Sequence, residues 1–133
     1  MPTTPLTPQA RDLLVKACPA VIATVGRHGQ PVSAATWYVL QDDDTILFNI
    51  EDGRARIRHL DAEPRLALTA LGTDNWYAHL SVQAHIIEKR DDPDLVDIDR
   101  ISLHYTGHPY AVRDKPRVSY VAAIDTWFGW HIA

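Results

Sequence analysis

The stretch that decides the fold reads TILFNIEDGRARIRHLDAEPRLALTAL and runs from residue 45 to residue 71. It opens as a strand, TILFNI (45–50), rich in β-branched and aromatic side chains and carrying an amide at Asn49. From Gly53 the pattern changes. Ile57 and Leu60 fall three apart and Arg54 and Arg58 four apart, the spacing of a short helix with one inward stripe. Pro64 stops that helix, and RLALTAL (65–71) resumes as a strand. Arg54, Arg56, Arg58 and Arg65 crowd this segment, although the chain's formal net charge is −4. Either they decorate a solvated face, or some of them grip an anion.

Position separates these arginines. Gly53, Arg54, Ala55 and Arg56 occupy the strand-to-helix junction, where unsatisfied backbone N–H groups and the helix dipole favour an anion. Arginine adds a planar fork that pairs two phosphate oxygens at once. Against that, Glu51, Asp52, Asp61 and Glu63 balance the charge, so the segment is no basic patch. Residue chemistry leaves both readings open, a phosphate grip and a solvated helix face.

Outward from this core, Thr7 and Pro8 predict a helix start, a hydroxyl cap followed by proline at the first turn. That helix is expected to run through Leu13, Leu14 and Ala17 and to end by Cys18, before Pro19. AVIATV (20–25) reads as a buried strand, GRHGQP as a turn with Gly29 at positive φ, and VSAATWYVL (32–40) as the returning strand. With TILFNI these make an antiparallel meander. Beyond Leu71, GTDN turns the chain into a long strand at 76–89, and a second amphipathic helix spans 94–106, bearing Leu95, Ile98, Ile101 and Leu103. Gly107 and Pro109 end it. RVSYVAAI (117–124) and WFGWHI (127–132) are expected as two final strands parted by Asp125 and Thr126. The sum is a mainly β fold of about seven short strands, its connections holding small helices, closed as an antiparallel barrel with helices plugging its ends.

The chain has 133 residues, enough for one domain with a proper core, and residues 1–133 are read as one. Its acidic balance argues against general nucleic-acid affinity. No apolar run approaches the roughly 20 residues that span a bilayer, and the N-terminus lacks a signal-peptide pattern. A single cysteine, Cys18, permits no internal disulfide, and a reduced, cytoplasmic setting is expected. Cys18 itself reads as a small buried residue. The histidines His104 and His108 are four apart, but Gly107 and Pro109 interrupt that turn, so no metal site is expected. Walker, dinucleotide-glycine and nucleophile-elbow motifs are missing. Of the tryptophans, Trp127 and Trp130 suit a barrel core or a subunit contact, whereas Trp37 and Trp76 equally suit the wall of a planar ligand.

GQPVSAATWYVL (29–40) followed by ILFNIEDGRARIRHLDAEPRLAL (46–68) resembles the pyridoxamine 5′-phosphate oxidase-like superfamily of split β-barrels. LHYTGHPYAV (103–112) and RVSYVAAIDTWFGW (117–130) are similar to the C-terminal half of its small deazaflavin-dependent reductases. The resemblance implies a homodimer binding coenzyme F420, or alternatively FMN, near its interface. It implies that Arg54 and Arg56 hold the cofactor phosphate beside Gly53 and Ala55. Ala35, Thr36, Trp37, Asn49 and Ile50 would line the ring, and Trp76 and Tyr77 would approach it at the dimer interface. The implied activity is hydride transfer between the reduced cofactor and a small organic substrate. An FMN-dependent oxidase or reductase and a non-catalytic cofactor binder are the alternatives. Lacking an extended C-terminal segment with its substrate-phosphate arginine, the chain departs from pyridoxamine phosphate oxidase proper. Tyr77, Tyr105 or a water is expected to supply the balancing proton, and Arg58 and His59 to screen an acidic cofactor tail.

Overall fold

A computed structural model describes residues 4–132. It is mainly β, a seven-stranded antiparallel sheet in the order β2-β1-β5-β6-β7-β4-β3 with short helices in its connections. The strands are β1 (Ala20–Val25), β2 (Pro31–Thr36), β3 (Val39–Leu40), β4 (Ile46–Glu51), β5 (Arg65–Leu71), β6 (His79–Asp91) and β7 (Arg117–Trp130). The helices are α1 (Pro8–Leu14), α2 (Ala55–Ala62) and α3 (Val96–Thr106). No described helix is long and apolar enough to cross a membrane.

The expected three-strand meander is broken in the middle. β1 pairs with β2 and β3 with β4, but no pairing joins β2 to β3. The cause lies in residues 37–39. Tyr38 and Val39 are both buried, which breaks the in-out alternation a continuous strand needs. Tyr38 is fully buried because its hydroxyl donates to the Leu14 carbonyl, 2.7 Å away, tying this crossing to the end of α1. β4 finds its other neighbour far along the chain in β7, with Asn49 opposite Ser119 and Glu51 opposite Arg117.

The opposite correction applies at the C-terminus, where one strand replaces two. Gln83 faces Thr126 while Ala84 faces Ile124, so Asp125 is the extra residue of a bulge. Its carboxylate lies 2.9 Å from Nδ1 of His85 on β6. Asp125 and Thr126 therefore bend a continuous strand and do not end it. The start of β6 also moves, from the expected residue 76 to His79. Gly72 N–H donates to Ala78 O at 2.7 Å and closes a longer turn, in which a Cβ on Gly72 would lie 2.5 Å from Asn75 O.

Helix ends follow their local chemistry. Thr7 Oγ1 accepts the Ala10 N–H at 3.2 Å with Pro8 in the first turn, a cap worth about 1 kcal/mol. α1 stops at Leu14, one turn short of Ala17. Gly107, at φ +79, ends α3 in the left-handed region. Ala10 and Leu14 from α1 and Ile57 and Leu60 from α2 join the main core with Phe48, Leu68 and Tyr120. Ile101 of α3 seals a smaller core over Val39, Leu47 and Val121. Cys18 is fully buried in the main core.

Candidate functional site

β4 runs into α2 through Gly53, whose φ of +90 would strain any L side chain. Arg54 follows as the N-cap of α2, in extended geometry and with no side-chain cap bond, so Ala55 and Arg56 open the helix. The Arg54 side chain is largely exposed and lies 3.3 Å from the Glu51 carboxylate. Arg56 is half-buried, and its Nη1 is sealed from solvent with no hydrogen-bond partner among the described residues. Burial, and then the positive charges of Arg54 and Arg117, push its pKa below the usual guanidinium value. An anion would relieve both the unused donor and the crowding of this guanidinium by other cations.

Arg117 comes from β7, the strand paired with β4. It opens β7 opposite Glu51, is 9% exposed, and donates Nε–H to Asn49 Oδ1 at 2.6 Å. Its guanidinium carbon sits 4.7 Å from the ring centre of Tyr110. Asn49 in turn donates Nδ2–H to Ser119 Oγ at 3.0 Å and to Asp92 Oδ2 at 3.2 Å. Asp92 also accepts the backbone N–H groups of Asp97 and Ile98, supplying the cap that Leu95 cannot give to α3.

Arg54, Ala55, Arg56, Tyr110 and Arg117 line a cavity of ≈ 470 Å³ together with Glu51. Arg56, Tyr110 and Arg117 also line a larger one of ≈ 550 Å³, whose further walls include Ala35, Thr36, Trp37 and Asn49. Trp37 stacks on Tyr105 at 5.1 Å between centroids and 11° between planes, and Tyr110 meets Trp37 edge-on at 6.3 Å. The result is a cleft with a flat aromatic wall at one end and arginines at the other.

Most of the residues expected at a site from sequence converge here. Ile50 does not, because its side chain is buried in the main core. Gly53 lines neither cavity and serves the turn. Trp76 and Tyr77 lie in the turn before β6, exposed, with Tyr77 against the ring of His131, and they line neither cavity of this chain. Tyr105 has its hydroxyl engaged on both sides, donating to Cys18 O at 2.7 Å and accepting from Tyr38 N–H at 3.3 Å. Burial raises its pKa. His59 docks inward, Nδ1 3.0 Å from the buried Thr24 hydroxyl, while Arg58 is exposed.

Arg117 and Tyr110 are the site residues that sequence reasoning missed. One signal was present, a cation heading the largely apolar first half of a strand that is buried there.

A family model described as pyridoxamine 5′-phosphate oxidase matches residues 6–131. Among curated proteins, no sequence match was found. Among solved structures, one described as an F420 reductase is 25% identical, with a TM-score of 0.79 over 89% of this chain and 94% of that one. A conserved hypothetical protein of Mycobacterium tuberculosis is 21% identical, with a TM-score of 0.72 over 96% of this chain and 86% of that one. A putative pyridoxamine 5′-phosphate oxidase of Listeria innocua is 14% identical, with a TM-score of 0.66 over 89% of this chain and 92% of that one. The last two share the split-barrel fold.

Proposed function

The chain belongs to the pyridoxamine 5′-phosphate oxidase family, and from that premise we propose that it is an oxidoreductase that uses a deazaflavin, coenzyme F420. The observation that carries this reading is the two-ended cleft. A planar ring fits the Trp37–Tyr105 wall, and a phosphate answers the unused Nη1 of Arg56 with Arg54 beside it. When bound, such a cofactor supplies hydride chemistry, and the protein's share is placement and electrostatics.

The chain's residues have distinct parts in that placement. Ala35 and Thr36 leave room beside the aromatic wall, while Arg54 and Arg56 fix the ligand's charged end. Tyr105 acts as a support, since its proton is committed to the Cys18 carbonyl. That leaves solvent, or Tyr77 across a dimer interface, to supply the balancing proton in this reading. The similarity to a structure described as an F420 reductase favours the deazaflavin. A second reading, FMN, gains from His59, whose inward dock on Thr24 removes one of the cations expected to meet an acidic tail.

Parallel titrations of the purified protein with F420 and FMN, at low and moderate salt, decide between them. Tighter F420 binding, with turnover of a reducible organic acceptor, supports the proposal. FMN binding at least as tightly under both conditions replaces it with the second reading. Cofactor binding without turnover would make the protein a carrier.

The working form in this proposal is a homodimer. Trp76, Tyr77, His131 and Trp130 touch ring to ring, and Trp76, Tyr77, Trp130 and Phe128 are all more than half exposed. A patch of that kind suits a second copy of the chain. Trp130→Asp is expected to yield a monomeric mass by light scattering where the unaltered protein gives a dimer; a wild-type monomer that binds cofactor at full affinity would refute the dimer.

A further inference from the structure

We propose that Arg117 is a third ligand of the cofactor phosphate and that Asn49 is the positioning residue that keeps it there with its charge unspent. This rests on the phosphate-bearing cofactor of the preceding reading, and it adds residues from an element far from the Arg54–Arg56 turn.

Arg117 reaches the site by strand register. Glu51, the last residue of β4, stands opposite Arg117, so the strand that delivers Arg54 and Arg56 carries Arg117 alongside. Arg54, Arg56 and Arg117 line one cavity together with Glu51. Arg117 is 9% exposed, and among the described residues no ion pair involves it. A charge so far out of water is retained only where something compensates it. Its direct contacts are neutral, the amide oxygen of Asn49 on Nε and the face of Tyr110 over the guanidinium. The Nε bond fixes the plane of the group and leaves its Nη pair, the end that forks onto phosphate oxygens.

Asn49 has the chemistry this requires. Its oxygen accepts from a cation and its nitrogen donates to the Asp92 carboxylate, so the two partners together fix the amide's orientation. Aspartate at this position would neutralise Arg117 and face Asp92 with a like charge. Asparagine holds the arginine and leaves its charge for the ligand. Asp92 is itself anchored by the first turn of α3, so the arginine is placed before any ligand arrives.

The test compares phosphate-bearing and phosphate-free forms of one ring: FMN with riboflavin, and F420 with its phosphate-free deazaflavin core. Affinities are measured by fluorescence titration for the unaltered protein, Arg117→Ala, Arg117→Lys and Asn49→Asp. Arg117→Ala is expected to weaken the phosphate-bearing form about tenfold to a hundredfold and to leave the phosphate-free form within about twofold. Arg117→Lys should fall between, because it keeps a charge but loses the Nε bond. Asn49→Asp, which keeps size and an acceptor, should cost the phosphate-bearing form about fivefold more than it costs the phosphate-free form. These two milder variants carry the test if Arg117→Ala does not fold. Equal losses for both forms, or no loss, would overturn the inference while leaving the cofactor reading intact. An unaltered protein that binds neither FMN nor F420 would overturn the cofactor reading and this inference with it.

Discussion

The two walls of the arginine-lined cleft are built in opposite ways. One is local. Arg54 and Arg56 follow Gly53 within a single turn of chain, and little else fixes them: Arg54 leans on Glu51 at 3.3 Å, and Arg56 keeps a buried nitrogen unpaired. The other wall is assembled from afar. Arg117 is held by Asn49, Asn49 by Ser119 and Asp92, and Ser119 by a 2.6 Å bond to Asp97. The local wall stores unmet demand and the remote wall stores order. A ligand gains most where a buried donor lacks a partner, because binding then relieves a cost the free protein already carries.

That contrast makes Arg56 the most sensitive point of the local wall. Arg56→Ala is expected to weaken the phosphate-bearing cofactor about tenfold to a hundredfold. The ligand-free protein should melt no lower than the unaltered one, because the change removes a cation crowded by two others. Titration and thermal melts on the same samples check both halves. A lowered melting temperature with unchanged affinity would make Arg56 a structural residue and end the contrast.

Trp37 belongs to neither arginine wall, which makes it the control for ring contacts. It stacks on Tyr105, and its loss should weaken ligands with and without phosphate alike, by roughly tenfold, from lost stacking and contact area. A loss confined to the phosphate-bearing form would mean that the flat wall does not face the ring.

The same contrast explains what was legible in the sequence. The Arg54–Arg56 turn could be read directly because strand, glycine, arginines and helical stripe are contiguous, and each obeys a local rule. Arg117 could not. Its place depends on the register of β7 against β4, and Asn49 and Ser119 are 70 positions apart along the chain. The strand breaks failed for a related reason. At Tyr38 a side chain turned inward to reach the Leu14 carbonyl, and at Asp125 a bulge absorbed a polar residue within a strand. Both leave only ambiguous local marks, adjacent apolar residues at 38–39 and a polar pair at 125–126, which propensity and periodicity do not resolve. Trp76 reads as well for a ligand wall as Trp37 does, and only the fold separates them, one in the cleft and one on the surface.

Arg54 should matter less than Arg56, even though the two look equivalent in sequence. Its exposed guanidinium already has Glu51, so the net gain on meeting a phosphate is small. Arg54→Ala is expected to cost about threefold in affinity, and Glu51→Gln, which frees the arginine, to tighten binding by a similar factor. Equal losses from Arg54→Ala and Arg56→Ala would show that exposure and pairing do not rank the local wall.

The smallest effect belongs to Arg58, two residues past Arg56 and facing water. His59 beside it is committed to Thr24, which leaves Arg58 as the cation of the expected tail contact. An exposed ion pair of this kind is worth at most about 1 kcal/mol and is screened as the Debye length shortens with salt. Arg58→Ala should therefore leave FMN binding unchanged at any salt, because FMN carries no acidic tail. With F420 it should cost no more than about fivefold at low ionic strength and nothing measurable near 0.5 M salt. A salt-insensitive loss shared by both cofactors would place Arg58 on the phosphate and extend the local wall by one residue. No loss with either cofactor would leave Arg58 on the solvated face and remove the last cation argued for tail recognition; since FMN carries a phosphate too, the preference for F420 would then rest on the ring and on the similarity to the structure described as an F420 reductase.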